Sequence, residues 1–117
     1  MNLTWIGLEK IGAGMKIYNK LVRDKVPQII EADGKKAVTR LLDDKEHFQE
    51  LVKKLKEEIA EFEAEPSVEE LADLKELIIA IREAMGIHAG QLEGVRRQKA
   101  TTNGRFKNKI FLESVED

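Results

Sequence analysis

The sequence predicts an all-α protein, a helical bundle carrying a minor short β element. Two long stretches with apolar residues at helical spacing, tight breaks between them, and an aromatic content of only 5% with short β-like pieces carry that expectation. At 117 residues and 42% hydrophobic content, the chain suffices for one compact domain and is too short for two ordinary ones.

The elements follow in order from local chemistry. Pro27 lies in the first turn of a short helix that runs through Gln28 to Ala32, with Gly34 past its end. Lys36 to Leu42 is β-like and short. Asp43 with Glu46 three residues on has capping-box spacing, and from Asp44 to about Glu65 the apolar residues Phe48, Leu51, Val52, Leu55, Ile59 and Phe62 form one stripe. Pro66 breaks that helix. Ser67 with Glu70 repeats the box at the entry to Val68–Met85, which Gly86 closes, so the two long helices make a tight hairpin. The second of them leaves only Lys75, Glu76, Arg82 and Glu83 as a polar sector and is expected to be buried on most sides, which points to self-association. A further helix spans about Ala89 to Lys99, weakened by Gly90 and Gly94, before Asn103 and Gly104 turn the chain into a small strand at Ile110 to Leu112.

Composition excludes several function classes. With no cysteine there are no disulfides, thiolate metal sites or cysteine nucleophiles, and a reducing cytoplasm is the expected compartment. The longest apolar run, Leu77 to Ile81, is far short of the roughly 20 residues of a membrane span, and the start lacks a secretory pattern. A net charge of −2 argues against a protein that coats nucleic acid. The charge is nevertheless segregated. Residues 16–40 hold seven bases and three acids, residues 43–93 six bases and fifteen acids, and residues 96–109 six bases and no acid.

Within the acidic middle, helical geometry places Glu58 beside the apolar stripe, Glu61 on its margin and Glu57 further toward solvent. On the next helix Glu70 falls inside the apolar sector and Asp73 just past it. A carboxylate inside a bundle costs several kcal/mol unless it is protonated, paired or metal-bound. Glu58 and Glu61 face Glu70 and Asp73 across the hairpin as two i, i+3 pairs, and four converging anions need a cation. Lys54 and Lys75 are expected to be too few and too exposed to supply it. An oxygen-only set selects a hard ion, Mg²⁺ with Mn²⁺ as substitute. The same spacing also fits ordinary solvent-facing glutamates, with Glu70 serving the Ser67 cap.

Two basic arms flank this cluster: Lys20, Arg23 and Lys25 before the first helix, and Lys99, Arg105, Lys107 and Lys109 at the other end. An arm brought over the acids would hold a metal-bridged polyphosphate. No GxxxxGK[ST] loop is present, His47 and His88 read as surface residues, and Tyr18 and Phe106 suit core packing better than base stacking.

Glu57-Glu58-Ile59-Ala60-Glu61 followed by Glu70-Leu71-Ala72-Asp73 resembles the EExxE and ExxD pair of the all-α nucleoside triphosphate pyrophosphatases, the MazG-like and phosphoribosyl-ATP pyrophosphohydrolase-like superfamily. The segment Tyr18-Asn19-Lys20-Leu21-Val22-Arg23-Asp24-Lys25-Val26-Pro27 is similar to the opening of a predicted house-cleaning branch, and Lys99 through Glu113 to its close. The resemblance covers Met15 to about Glu116. It implies a helical bundle assembled as a homodimer or higher oligomer, with Mg²⁺ held by Glu58, Glu61, Glu70 and Asp73. It also implies hydrolysis of a nucleoside triphosphate to monophosphate and pyrophosphate. Glu61 or Glu57 would then activate water, while Lys20, Arg23, Lys25, Lys99 and Arg105 bind the phosphates. Residues 1–14 precede the usual beginning and read as a flexible extension to a single domain, residues 15–117. The spacer Phe62 to Glu69 is shorter than in MazG-like proteins at large, and Arg105 replaces a frequent glycine. Two alternatives remain at this point: a non-enzymatic nucleotide-binding or regulatory module, and a phosphoribosyl-ATP pyrophosphohydrolase.

Overall fold

The structure, a computed structural model, describes residues 15–117; the expected N-terminal extension lies outside the described residues. Four helices form in this span: α1 (Val26–Ala32), α2 (Asp44–Ala64), α3 (Val68–Ala84) and α4 (Ala89–Asn103). The described residues contain no strand. The β-like stretches 36–42 and 110–112 run without regular structure. A strand requires a hydrogen-bonding partner, and neither stretch meets one, so the expected minor β element does not form.

Each helix end has a local cause. The Asp43 side chain accepts from the Glu46 amide at 2.8 Å and caps α2, while the Glu46 carboxylate turns instead to Arg40, at 2.9 Å. Ser67 Oγ accepts from the Glu70 amide at 3.1 Å and caps α3. Gly34 and Gly86, at φ 78° and 70°, end α1 and α3 in left-handed turns. At Gly86 the two closing bonds are Gly86 N–H to the Glu83 carbonyl and Ile87 N–H to that of Arg82, a Schellman motif that satisfies the last carbonyls. Helix α4 runs past Lys99 to Asn103 and stops at Gly104, which takes φ 84°, while within it Glu93 bonds both Arg96 and Arg97 one turn on and supports the stretch that Gly90 and Gly94 weaken.

Helices α2 and α3 pack along their lengths as the expected antiparallel hairpin, and α4 touches α3 more lightly. At the start of α1, Val26 is buried against Tyr18 and Val22 from the preceding segment and Ile30 of the same helix. Among the described residues only Val26, Leu51 and Leu77 are buried apolar side chains. Helix α3 is therefore less covered in one chain than its apolarity predicts, with Leu71 and Ile78 about half exposed. One neighbour along its length cannot cover a helix that is apolar on most sides. No described helix is long and apolar enough to cross a membrane.

Candidate metal centre

The hairpin turn at Glu65-Pro66-Ser67 sets the last turns of α2 against the first turns of α3, where the acids lie. One carboxylate oxygen each from Glu58, Glu70 and Asp73 falls within 4.8 Å of the others. Glu58 is 7% exposed, the buried charged residue of the described chain. Its Oε2 and the Oε2 of Glu70 are buried without a hydrogen-bond partner.

The cap of α3 explains why Glu70 is free to point inward. Its backbone amide bonds Ser67, but no reciprocal bond from its carboxylate to the Ser67 amide forms among the described residues. The capping-box spacing is thus only half used, and the unused half supplies an acid to the cluster.

Electrostatics at Glu58 follow from this crowding. Burial first, then the facing carboxyl of Glu70, and then the negative charges of Glu61 and Asp73 push its carboxyl from the ordinary 4.5 up to about 7, against the opposing pull of Lys54. Lys54 Nζ lies 3.8 Å from Glu58 Oε1, with its side chain only 16% exposed. It is thus more buried than its sequence position suggests; its i, i+4 spacing from Glu58 was the available signal. Lys75 is exposed, as expected.

Arg23 reaches the cluster from outside the hairpin. A turn in which the Val26 amide donates to the Arg23 carbonyl, anchored by the buried Val26 side chain, aims the guanidinium at Asp73, 2.6 Å away. The first basic arm therefore touches the acids through Arg23. Lys20 is half-buried and Lys25 exposed. The second arm lies elsewhere: Lys99 and Arg105 line a cavity with Arg96, Asn103, Phe106 and Lys107, none of them in the acid group. Phe106 is fully exposed rather than packed in a core.

The fourth expected ligand stands apart. Glu61 is exposed and lines a solvent-open cavity of about 500 Å³ together with Glu65, Ser67, Glu69 and Glu70, outside the three-residue group. Glu57 is exposed on α2. The arrangement brings together three oxygen donors, two of them with unsatisfied buried oxygens, plus a nearby open carboxylate. That donor chemistry fits a hard divalent cation, which would compensate the buried charge that Lys54 and Arg23 only partly offset.

No protein-family profile matches the chain, and no solved structure matches it. An uncharacterized protein of Mycolicibacterium smegmatis is 47% identical over 45 residues, 38% of this chain and 46% of that protein. The chain thus spans about half the length of the relative it matches.

Proposed function

We propose that this protein is a Mg²⁺-dependent nucleoside triphosphate pyrophosphohydrolase of the MazG-like, phosphoribosyl-ATP pyrophosphohydrolase-like kind, acting in the cytoplasm to clear the nucleotide pool. The observation that carries this reading is the convergence of Glu58, Glu70 and Asp73 with orphaned buried oxygens beside a basic residue. A buried acid cluster of this kind is stable when ionised only with a cation. Arg23 supplies the charge that phosphate oxygens require once a cation takes over its place at Asp73.

Glu58, Glu70 and Asp73 would hold Mg²⁺, with Glu61 as the fourth, outer carboxylate. Bound there, Mg²⁺ supplies neutralisation of phosphate charge and a more acidic water. The lining acids of the adjoining cavity, Glu61, Glu65, Glu69 and Glu70, would repel a free triphosphate, a charge that a divalent cation would offset. Glu61 is open to solvent and outside the ligand group, which suits it to accept a proton from the attacking water. Glu57 is a turn away on the exposed face and is the weaker choice. In the reaction water adds to the α-phosphorus, the bond from that phosphorus to the bridging oxygen breaks, and the monophosphate and pyrophosphate leave. Lys20, Arg23 and Lys25 hold the phosphates and balance charge on the leaving pyrophosphate.

Self-association belongs to the same reading. Among the described residues only three apolar side chains are buried, and Leu71 and Ile78 of α3 stay about half exposed, surface that a second copy would cover.

Pyrophosphate release, measured across standard and modified nucleoside triphosphates and phosphoribosyl-ATP with and without Mg²⁺, tests the assignment. Wild-type protein is expected to release pyrophosphate only with the metal. Glu58→Gln and Asp73→Asn are each expected to lose at least about 100-fold in rate with helix content unchanged, since even outer partners of metal ligands are worth 10–100-fold. Activity that survives both substitutions, or metal-dependent nucleotide binding without any pyrophosphate, overturns it; the latter outcome marks a binding module.

A further inference from the structure

Two resident cations meet the acid cluster, and they are held in different ways. Lys54 sits one turn before Glu58 on the same helix, 3.8 Å from Glu58 Oε1 and with its side chain 16% exposed. It leaves Oε2 of Glu58 without a partner. Arg23 comes from the segment ahead of α1, fifty residues from its partner in the chain, and donates to Asp73 Oδ1 at 2.6 Å while its side chain stays 55% exposed. The backbone that carries Arg23 is fixed. The Val26 amide donates to the Arg23 carbonyl at 3.0 Å, and Val26, 1% exposed, packs against Tyr18, Val22 and Ile30. The guanidinium is thus a movable cation on a fixed base.

Its partner is one of the three converging carboxylates. Glu58 and Glu70 each keep a buried oxygen without a hydrogen-bond partner, and those two orphans point to a ligand, whereas one oxygen of Asp73 is already taken. A divalent ion held by all three acids stands beside that guanidinium and repels it twice as strongly as a single charge would. An ion pair as exposed as Arg23 with Asp73 is too weak to hold against it. The adjoining cavity gives the exchange a consequence. It is lined by Glu61, Glu65, Glu69 and Glu70 and by no base, so a polyanion at its mouth meets four carboxylates while Arg23 is engaged elsewhere.

We infer that Arg23 is a tethered competitor of the divalent ion: it occupies Asp73 in the metal-free chain, the ion displaces it, and only the displaced guanidinium is free to take a phosphate oxygen. The metal then gates polyanion binding by releasing a base as well as by adding its own charge. The displacement rests on the three-carboxylate centre, and the use of the freed Arg23 by phosphate rests on the pyrophosphohydrolase reading.

Mn²⁺ titrated into the full chain at pH 8 without nucleotide, with the free ion counted by electron paramagnetic resonance, tests the displacement. Arg23→Gln is expected to bind the ion about two- to fivefold more tightly than wild type, the range that loss of an exposed ion pair allows. Lys25→Gln removes a neighbouring exposed charge that solvent screens, and is expected to change the affinity by less than about 1.5-fold. Side-chain relaxation of the Arg23 Nε–H, assigned by its loss in Arg23→Gln, is expected to show the guanidinium become mobile when Mg²⁺ is added and ordered again when inorganic pyrophosphate follows. Equal Mn²⁺ affinity in wild type and Arg23→Gln, an equal gain in Lys25→Gln, or an Arg23 whose motion the metal does not change overturns the displacement whatever the activity. Failure of the wild type to bind Mn²⁺ overturns it together with the centre. A freed Arg23 that pyrophosphate leaves mobile overturns its role toward phosphate. Release of Arg23 by the metal in a protein that yields no pyrophosphate from any triphosphate supports the displacement and overturns the pyrophosphohydrolase reading; turnover with Arg23 still ordered on Asp73 does the reverse.

Discussion

At pH 5 the buried carboxyl of Glu58 is expected to hold a proton, and by pH 8 to have given it up into a cluster whose charge Lys54 and Arg23 only partly offset. The folded value, about 7, lies above the ordinary 4.5, so the folded chain retains a proton that the unfolded chain releases between those two values. This contribution to stability is fully present below about pH 4.5 and is lost as pH rises through 7, at a cost of up to about 3 kcal/mol. Urea unfolding at pH 5 and pH 8 is expected to show that decline in the wild type and not in Glu58→Gln. Millimolar Mg²⁺ at pH 8 is expected to raise the midpoint of the wild type alone, since the ion binds the ionised cluster of the folded chain and not the unfolded one. Equal pH dependence in the two proteins would falsify the buried-acid account. Arg23 behaves differently. Its pair with Asp73 is 55% and 38% exposed, which limits its worth to at most about 1 kcal/mol. Arg23→Gln should leave the melting temperature nearly unchanged and Mg²⁺ binding no weaker, while raising the KM for nucleotide about tenfold, the share of one charge-assisted phosphate contact.

At the scale of elements, the caps connect stability to the site. Ser67→Ala removes the hydrogen bond that starts α3, for an expected loss of about 1 kcal/mol. It also releases the backbone of Glu70, so weaker Mg²⁺ affinity should accompany the stability loss, as isothermal titration can show; unchanged affinity would detach the cap from the cluster. Gly86→Ala forces a side chain into a left-handed turn at φ 70°, for an expected loss of about 1–2 kcal/mol. It acts at the far end of α3 and should leave the metal untouched. Helix termini were legible because caps and breakers act over a few residues: α2 and α3 begin where Asp43 and Ser67 place them. The end of α4 was less legible: the spacing predicts a stop near Lys99, whereas residues 100–103, which carry no breaker, stay helical up to Gly104. The β-like segments have strand composition, but composition alone does not provide a ladder partner.

At the scale of the whole molecule, three buried apolar side chains are a small core for the described chain. A dimer or larger assembly is therefore expected by light scattering, and Leu71→Glu with Ile78→Glu is expected to shift it to monomer with reduced helix content. A monomeric wild type would contradict this. The periodic apolar positions of α2 and α3, their reversal at Pro66 and the placement of Glu58 and Glu70 on the inner faces depend on near neighbours in the chain, which is why the sequence by itself determined them. Tertiary structure alone decided which acids converge. Asp73 joins Glu58 and Glu70 while Glu61 stays outside, because a modest rotation of one helix about its axis moves a carboxylate from the seam to solvent. It alone also joined Arg23 to Asp73, fifty residues apart, and separated Lys99 and Arg105 from the acids, because such distances depend on how whole elements pack and not on local spacing.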